Sequence, residues 1–135
     1  MTSIENGTHV LRNIADRKHL AMEVGVVSMR RDGEPLHYWD FEKADSGNWV
    51  IRDIESGTYL GTNDGGYALG TPLIGRAERV EWEVRSIDEE VGTWCLVLPS
   101  PDTNVVTVGT SGDEDVPLLK LVTIGDDLSV RWIFQ

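Results

Sequence analysis

The chain has 135 residues, with 12 basic and 23 acidic side chains and a formal net charge of −11 at pH 7. A chain of this length can fold as one domain and bury a core without a disulfide or a metal. The negative charge repels phosphate backbones and anionic lipid headgroups, so we expect neither nucleic acid nor membrane as a partner. The sequence has no secretory signal pattern and no apolar run of bilayer length, which predicts a cytoplasmic protein.

Three tryptophans recur at the ends of similar segments, at Trp39, Trp82 and Trp132. Each is followed two residues later by another apolar residue, a spacing that places both side chains on one face of a β-strand. Aromatic side chains contribute much of the buried area of protein cores. We therefore predict that these three tryptophans form the structural core.

The segments that lead to the tryptophans also repeat. Each segment opens on a glycine followed by alternating residues, and the opening glycines are Gly7, Gly47 and Gly92. Each also carries a Pro-Leu pair before its tryptophan, at 35–36, 72–73 and 117–118. The sequence therefore predicts a single domain over residues 1–135, with three repeats at about 7–46, 47–91 and 92–135.

The chain in order predicts twelve short strands separated by glycine-rich turns. The strands are predicted at 9–14, 19–24, around 36, around 39, at 49–54, 58–61, 73–74, around 82, at 94–98, 104–108, 118–124 and around 132. A longer connection is predicted over 26–33, between the second and third strands. No segment shows sustained helical periodicity with caps. Short β-branched and aromatic runs between such turns are typical of an all-β barrel.

The residues that could carry catalysis do not form a catalytic or metal-binding pattern. The three histidines share no spacing typical of metal ligands, and each is interpreted as a structural or solvent-facing side chain. Cys95 lies between Trp94 and Leu96, where a buried unreactive thiol is expected. The acidic turn 113–115 lacks the glycine and distal glutamate of a calcium loop. We therefore expect a non-enzymatic binding module with no cofactor and no metal, and a monomer.

Three stretches resemble a known family, namely residues 4–12, 54–60 and 70–82. They are similar to small fungal β-trefoil proteins, which include ricin-B-like lectins and protease inhibitors of the mycocypin type and related inhibitors. The resemblance implies a defence-type protein in which six strands close a barrel and six form hairpins over one end. It also implies a core in which the three tryptophans pack with Leu11, Ile51, Leu96, Leu20, Leu60 and Val105.

The first functional hypothesis is a protease inhibitor that presents a surface loop to a protease. A loop held by a barrel loses little entropy when it docks into an active-site cleft. The connection from 26 to 34 lies in the least acidic repeat, and its candidate contact residues are Met29, Arg30, Arg31 and Asp32. Arg30 or Arg31 would enter the acidic pocket of a trypsin-like enzyme. The turns that mycocypin-type inhibitors use, predicted at 15–18 and 36–38, are short in this chain, which argues against a close copy of that type.

The alternative hypothesis is a lectin that recognises glycans. The lectin pattern has Gln-x-Trp near the end of each repeat, but the glutamine position is occupied by His37, Val80 and Val130. The aspartate that the pattern places after the second strand also has no clear match, with Gly61 and Thr62 near it in the second repeat. A sugar site needs polar groups aligned around an apolar ring face. The second repeat offers such a set in Asn63, Asp64 and Tyr67, and the eroded pattern ranks this hypothesis second.

Overall fold

The computed structural model describes residues 6–14, 17–23, 25–31, 33–62, 73–88, 93–98, 106–110, 119–123 and 132–134. Within these ranges the chain forms β-strands joined by turns, with no helix. The thirteen strands are β1 (Gly7–His9), β2 (Leu11–Asn13), β3 (His19–Glu23), β4 (Val26–Arg30), β5 (Trp39–Lys43), β6 (Trp49–Asp53), β7 (Tyr59–Thr62), β8 (Leu73–Arg76), β9 (Glu81–Asp88), β10 (Thr93–Leu98), β11 (Val106–Thr110), β12 (Leu119–Thr123) and β13 (Trp132–Phe134). The part of the chain that is described contains no helix long and apolar enough to cross a membrane.

The first and last strands of the three repeats close a barrel. β6 pairs with β5 and β9, and β10 pairs with β9 and β13. The ring closes because β2 pairs with β13 and β1 pairs with β5. The strand predicted at 9–14 is thus divided at Val10 into two strands that face different neighbours. Within the described residues, this division adds one strand to the prediction, the strand β4 adds another, and the strand predicted around 36 is not found. Thirteen strands are therefore described where twelve were predicted.

The pairing register relates the three repeats to one another. Trp39 pairs with His9 of its own repeat and with Asp53 of the next. Trp132 pairs in the same way with Trp94 and with Asn13, and Trp82 pairs with Trp49. Residues at the same distance from each opening glycine therefore occupy equivalent places in the barrel.

The remaining strands form one hairpin in each repeat, namely β3–β4, β7–β8 and β11–β12. The first two hairpins meet where Val26 pairs with Ile74. The prediction that residues 26–33 form a long connection is wrong, because Val26–Arg30 is the strand β4. Val27 and Met29 alternate into the core, a pattern that the adjacent arginines obscured in the sequence. Leu36, predicted to start a strand, lies outside the strands and is exposed.

The core is built around the three tryptophans, as predicted. Trp39, Trp82 and Trp132 are completely buried. The indole Nε1–H of Trp39 donates to the carbonyl oxygen of Leu20 at 3.1 Å, and that of Trp82 donates to Leu60 at 2.9 Å. The other predicted core residues within the described ranges, Leu11, Leu20, Ile51, Leu60 and Leu96, are also fully buried, as is Cys95. Val105 lies outside the described residues.

The Trp82→Phe substitution is expected to destabilise the protein by about 2–3 kcal/mol. It removes buried ring atoms and the indole N–H group that donates a hydrogen bond to the Leu60 carbonyl oxygen. The free energy of unfolding from urea denaturation measures the loss. Trp94→Phe is the matched control, since Trp94 is only partly buried, and we expect it to cost about 1 kcal/mol or less. Equal losses in the two variants would contradict the role assigned to the Trp82 ring.

Candidate functional site

A polar cluster lies where the first repeat meets the second, with His37 and Asp53 buried and Glu55 exposed. His37 comes two residues before Trp39, and Glu55 comes two residues after Asp53, the strand partner of Trp39. His37 and Glu55 are therefore brought opposite each other by the antiparallel register. The His37 Nε2 atom lies 2.6 Å from Asp53 Oδ1, and its Nδ1 atom lies 3.7 Å from Glu55 Oε2. The ring of His37 thus stands between two carboxylates of the following repeat.

Asp53 is buried and is the acceptor at the centre of this cluster. Its Oδ1 accepts hydrogen bonds from His37 and from the backbone N–H of Glu55, and its Oδ2 accepts from the backbone N–H and hydroxyl of Ser56. Burial raises the pKa of the Asp53 carboxyl, but the hydrogen bonds from Ser56 and His37 outweigh it, so the pKa lies below its ordinary value. The side chain is therefore held as a carboxylate.

An exposed apolar surface lies on the outside of the barrel beside this cluster. Its members are Leu36, Tyr38 and Ile54, whose exposed fractions are 46%, 48% and 45%. Tyr38 and Ile54 flank the paired residues Trp39 and Asp53 and therefore lie opposite each other. We call Leu36, Tyr38 and Ile54, with the neighbouring Asp40 and Arg52, the outer strip.

The polar part of the outer strip is an ion pair in the same register. Asp40 pairs with Arg52 across β5 and β6, and the Arg52 Nη2 atom lies 3.5 Å from Asp40 Oδ2. Arg52 in turn pairs with Tyr59 of β7. The outer strip therefore combines an exposed phenol ring with a carboxylate and a guanidinium group.

The loop that follows β4 is closed by hydrogen bonds to Pro35. The carbonyl oxygen of Pro35 is 3.1 Å from the Arg30 Nη1 donor and 3.2 Å from His19 Nε2. The backbone N–H of Arg31 donates to Glu34 Oε1 at 2.9 Å, and the N–H of Glu34 donates to the Arg31 carbonyl at 3.2 Å. These hydrogen bonds hold Arg30, Arg31, Glu34 and Pro35 close together.

The structure separates the four residues predicted to contact a protease. Met29 lies within β4 and packs in the core cluster, so its prediction as a loop contact is corrected. Arg30 is partly buried and donates to Pro35, whereas Arg31 is exposed. Asp32 lies outside the described residues. Only Arg31 of the described candidates presents its side chain to solvent from the loop.

The predicted glycan residues Asn63, Asp64 and Tyr67 also lie outside the described residues. The neighbouring Gly61, near the position where the lectin pattern places an aspartate, is buried in β7. A Cβ atom built at Gly61 would meet Arg76 Cδ at 2.8 Å and Val80 Cγ2 at 2.9 Å. The Arg76 side chain crosses this place and donates to the Thr62 carbonyl at 2.9 Å. An aspartate would not fit there unless both Arg76 and Val80 moved.

Sequence reasoning missed the cluster of His37, Asp53 and Glu55. It treated His37 as an isolated substitution in the lectin pattern. The spacing of residues within one segment does not show which residues of another segment lie beside them. The available signal was the alignment of the repeats, which places residues around Asp53 beside those before Trp39. Val80 replaces His37 at the next junction and is partly buried against the core.

The closed barrel of six strand positions with three hairpins defines a β-trefoil. No protein-family model and no curated protein matches the sequence. Among solved structures, the chain is similar to the Macrolepiota procera ricin B-like lectin in complex with lactose, with a TM-score of 0.84, 20% identity and 99% of both chains covered. It is similar to the Rhizoctonia solani agglutinin, with a TM-score of 0.81, 16% identity and coverage of 99% of this chain and 97% of that chain.

A third similar structure is the Polyporus squamosus lectin bound to a sialylated influenza-binding epitope. Its TM-score is 0.80 at 17% identity, and the match covers 99% of this chain and 50% of that chain. These structures confirm the predicted resemblance to fungal ricin-B-like β-trefoil proteins at the level of the fold. At such identities, the similarity identifies the architecture and not the ligand.

Burial lowers the pKa of His19 below its ordinary value of 6.5, as do the charges of Arg12 and Arg30, while the hydrogen bond to Pro35 opposes them. As the pH falls below about 6.5, the unfolded chain therefore binds the proton before the folded protein does. The stability that neutral His19 provides is complete above this pH and is lost as the pH falls through the lower folded pKa. We expect the free energy of unfolding, measured in urea, to decline from pH 7.5 to pH 5.5.

His19→Gln keeps a donor for the Pro35 carbonyl but cannot titrate. The decline over the same pH range should therefore be shallower in this variant, by up to about 1.4 kcal/mol per pH unit at the steepest point. An unchanged slope would show that His19 does not supply the pH dependence.

Proposed function

We propose that the chain is a non-enzymatic, single-domain and monomeric carbohydrate-binding protein of the ricin B-like type. The observation that carries the proposal is the similarity over the whole chain to the Macrolepiota lectin, which was solved with lactose. The Polyporus lectin, bound to a sialylated saccharide, adds a second example. This support reverses the order of the two hypotheses drawn from the sequence, because no inhibitor is among these three similar structures.

The outer strip supplies the chemistry that a saccharide needs. A sugar ring has an apolar C–H face that packs on an aromatic ring, and its hydroxyls require both donors and acceptors. Tyr38 is the exposed aromatic ring, while Arg52 donates and Asp40 accepts. Asp40 and Arg52 lie on paired strands, and Tyr38 immediately precedes β5. These groups are therefore held in place before a ligand binds, which limits the entropy lost on binding.

Asn63, Asp64 and Tyr67 remain a second proposed location for the glycan. They belong to the second repeat, as does Arg52, but Tyr38 and Asp40 belong to the first. The two locations differ in the tyrosine that would pack on the sugar, Tyr38 or Tyr67. Substituting each tyrosine separately therefore distinguishes them.

We expect the wild-type protein to bind on a glycan array, and Tyr38→Ala to weaken that binding by about tenfold, which corresponds to about 1.4 kcal/mol. Loss of the ring removes the apolar platform, and the exposed position of Tyr38 leaves the core intact. Tyr67→Ala is the matched control and should bind as the wild type does. Loss of binding in Tyr67→Ala alone would move the site to Asn63, Asp64 and Tyr67. A wild-type protein that binds no glycan would reject the proposed function.

A second candidate function is protease inhibition through Arg31. One observation favours it, namely the network that closes the loop at Pro35 and Glu34 while Arg31 is exposed. An exposed basic side chain whose neighbours are held by hydrogen bonds suits the acidic specificity pocket of a trypsin-like enzyme. The structure favours Arg31 over Arg30 for this role, because the Arg30 guanidinium group is bonded within the loop.

On this second hypothesis, Arg31→Ala abolishes inhibition of trypsin, because the side chain that enters the pocket is missing. Residual trypsin activity at increasing protein concentrations measures inhibition. Arg52→Ala is the control, since it removes an exposed arginine on the barrel surface and should inhibit like the wild type. Absence of inhibition by the wild-type protein, or equal inhibition by Arg31→Ala, would eliminate this candidate.

A further inference from the structure

The imidazole of His37 has one nitrogen with a hydrogen-bond partner and one without. Its Nε2 atom is 2.6 Å from Asp53 Oδ1, a buried carboxylate oxygen that can only accept. Nε2 therefore carries a hydrogen atom and donates it. In the neutral ring, this assignment leaves Nδ1 with a lone pair.

That lone pair points towards a second acceptor. The ring of His37 is fully buried, and Nδ1 has no hydrogen-bond partner among the described residues. The atom that faces it is Glu55 Oε2, 3.7 Å away. A lone pair on a buried nitrogen and a carboxylate oxygen that faces it repel each other unless a cation lies between them. The cation is either a proton on Nδ1 or a metal ion.

The separation of the two atoms favours the metal ion. An N–H···O hydrogen bond has a donor–acceptor distance of about 2.9 Å, so 3.7 Å is too long for a bridging proton. Two ligand atoms held about 2.1 Å from a tetrahedral ion are about 3.4 Å apart. The observed distance is closer to this second value, and Glu55 is an exposed side chain that can adjust to reach it.

We propose that His37 Nδ1 and the Glu55 carboxylate bind a divalent transition metal ion of the zinc class. Imidazole nitrogen is a preferred ligand of zinc, nickel and copper, and a carboxylate completes such sites readily. A metal-bound histidine commonly donates its other ring N–H to a carboxylate, which fixes the orientation of the ring. Asp53 is that carboxylate for His37. A site with two protein ligands binds an ion more weakly than a closed four-ligand site.

The site does not depend on the proposed glycan function. Its residues are brought together by the pairing of β5 with β6, which also orients the outer strip but uses the opposite faces of the strands. Trp39 and Asp53 are buried, whereas Asp40 and Arg52 point outwards. A failure of glycan binding would therefore leave the metal proposal unchanged, and a failure of metal binding would leave the lectin proposal unchanged.

The test is a titration of the full chain, without a histidine tag, with Zn²⁺ at pH 7.5. Calorimetry should show one ion bound for each chain, and the imidazole NMR signals of His37 should shift while those of His9 and His19 stay in place. Glu55→Gln should weaken binding at least tenfold. Glu78→Gln is the matched control, because the Glu78 side chain is 71% exposed and that of Glu55 is 73% exposed; it should bind as the wild type does.

His37→Gln should abolish the heat of binding, and its circular dichroism spectrum reports whether the variant is folded. Glu55→Gln is the decisive variant, because an exposed side chain can be changed without unfolding the barrel. The proposal is overturned if the wild-type protein binds no Zn²⁺, if Glu55→Gln binds it equally well, or if the signals that shift belong to His9 or His19. It is also overturned if NMR shows a hydrogen atom on both nitrogens of His37 in the presence of excess Zn²⁺.

Discussion

The structure depends on the hydrogen bonds that the buried indole N–H groups donate. Each of two tryptophans in the last strand of a repeat donates its Nε1–H to a backbone carbonyl of the second strand, at Leu20 and Leu60. Because a buried indole without an acceptor would cost free energy, this bond fixes the hairpin against the barrel. The closed ring of strands leaves the barrel without free edges. Loops and the outer surface can then change in sequence while the fold is kept.

This constraint explains why much of the fold could be predicted from the sequence. Trp39, Trp82 and Trp132 recur at nearly regular intervals because each repeat must deliver one ring to the same core. The turn after the first strand is likewise repeated. The N–H of Asn13 donates to the Lys18 carbonyl and that of Asp53 donates to Thr58, both at 2.8 Å. Local features of this kind can be recognised in a single sequence because its three repeats can be compared with one another.

A strand that resembles a loop and a site that depends on the pairing of distant segments could not be predicted. Val26–Arg30 has the alternation of a strand, but two arginines at its end and glycines on either side resemble a loop. Similarly, His37 and Asp53 are 16 residues apart, and only the register of β5 with β6 brings them to hydrogen-bond distance. A prediction of the site required the register to within one residue, since a shift of one residue reverses the faces of a strand.

The junction between the first two repeats departs from the threefold pattern in a way that packing alone does not require. At the next junction, repeat alignment places Val80 where this junction has His37. Val80 is partly buried against the core, so an apolar side chain is compatible with this position in the barrel. Burying a histidine and a carboxylate costs desolvation that an apolar pair avoids. Sequences that break the local rule of an apolar core commonly do so at functional sites. The same two residues orient Glu55 and lie beside Tyr38, so the proposed metal and glycan sites both adjoin the buried hydrogen bond between His37 and Asp53.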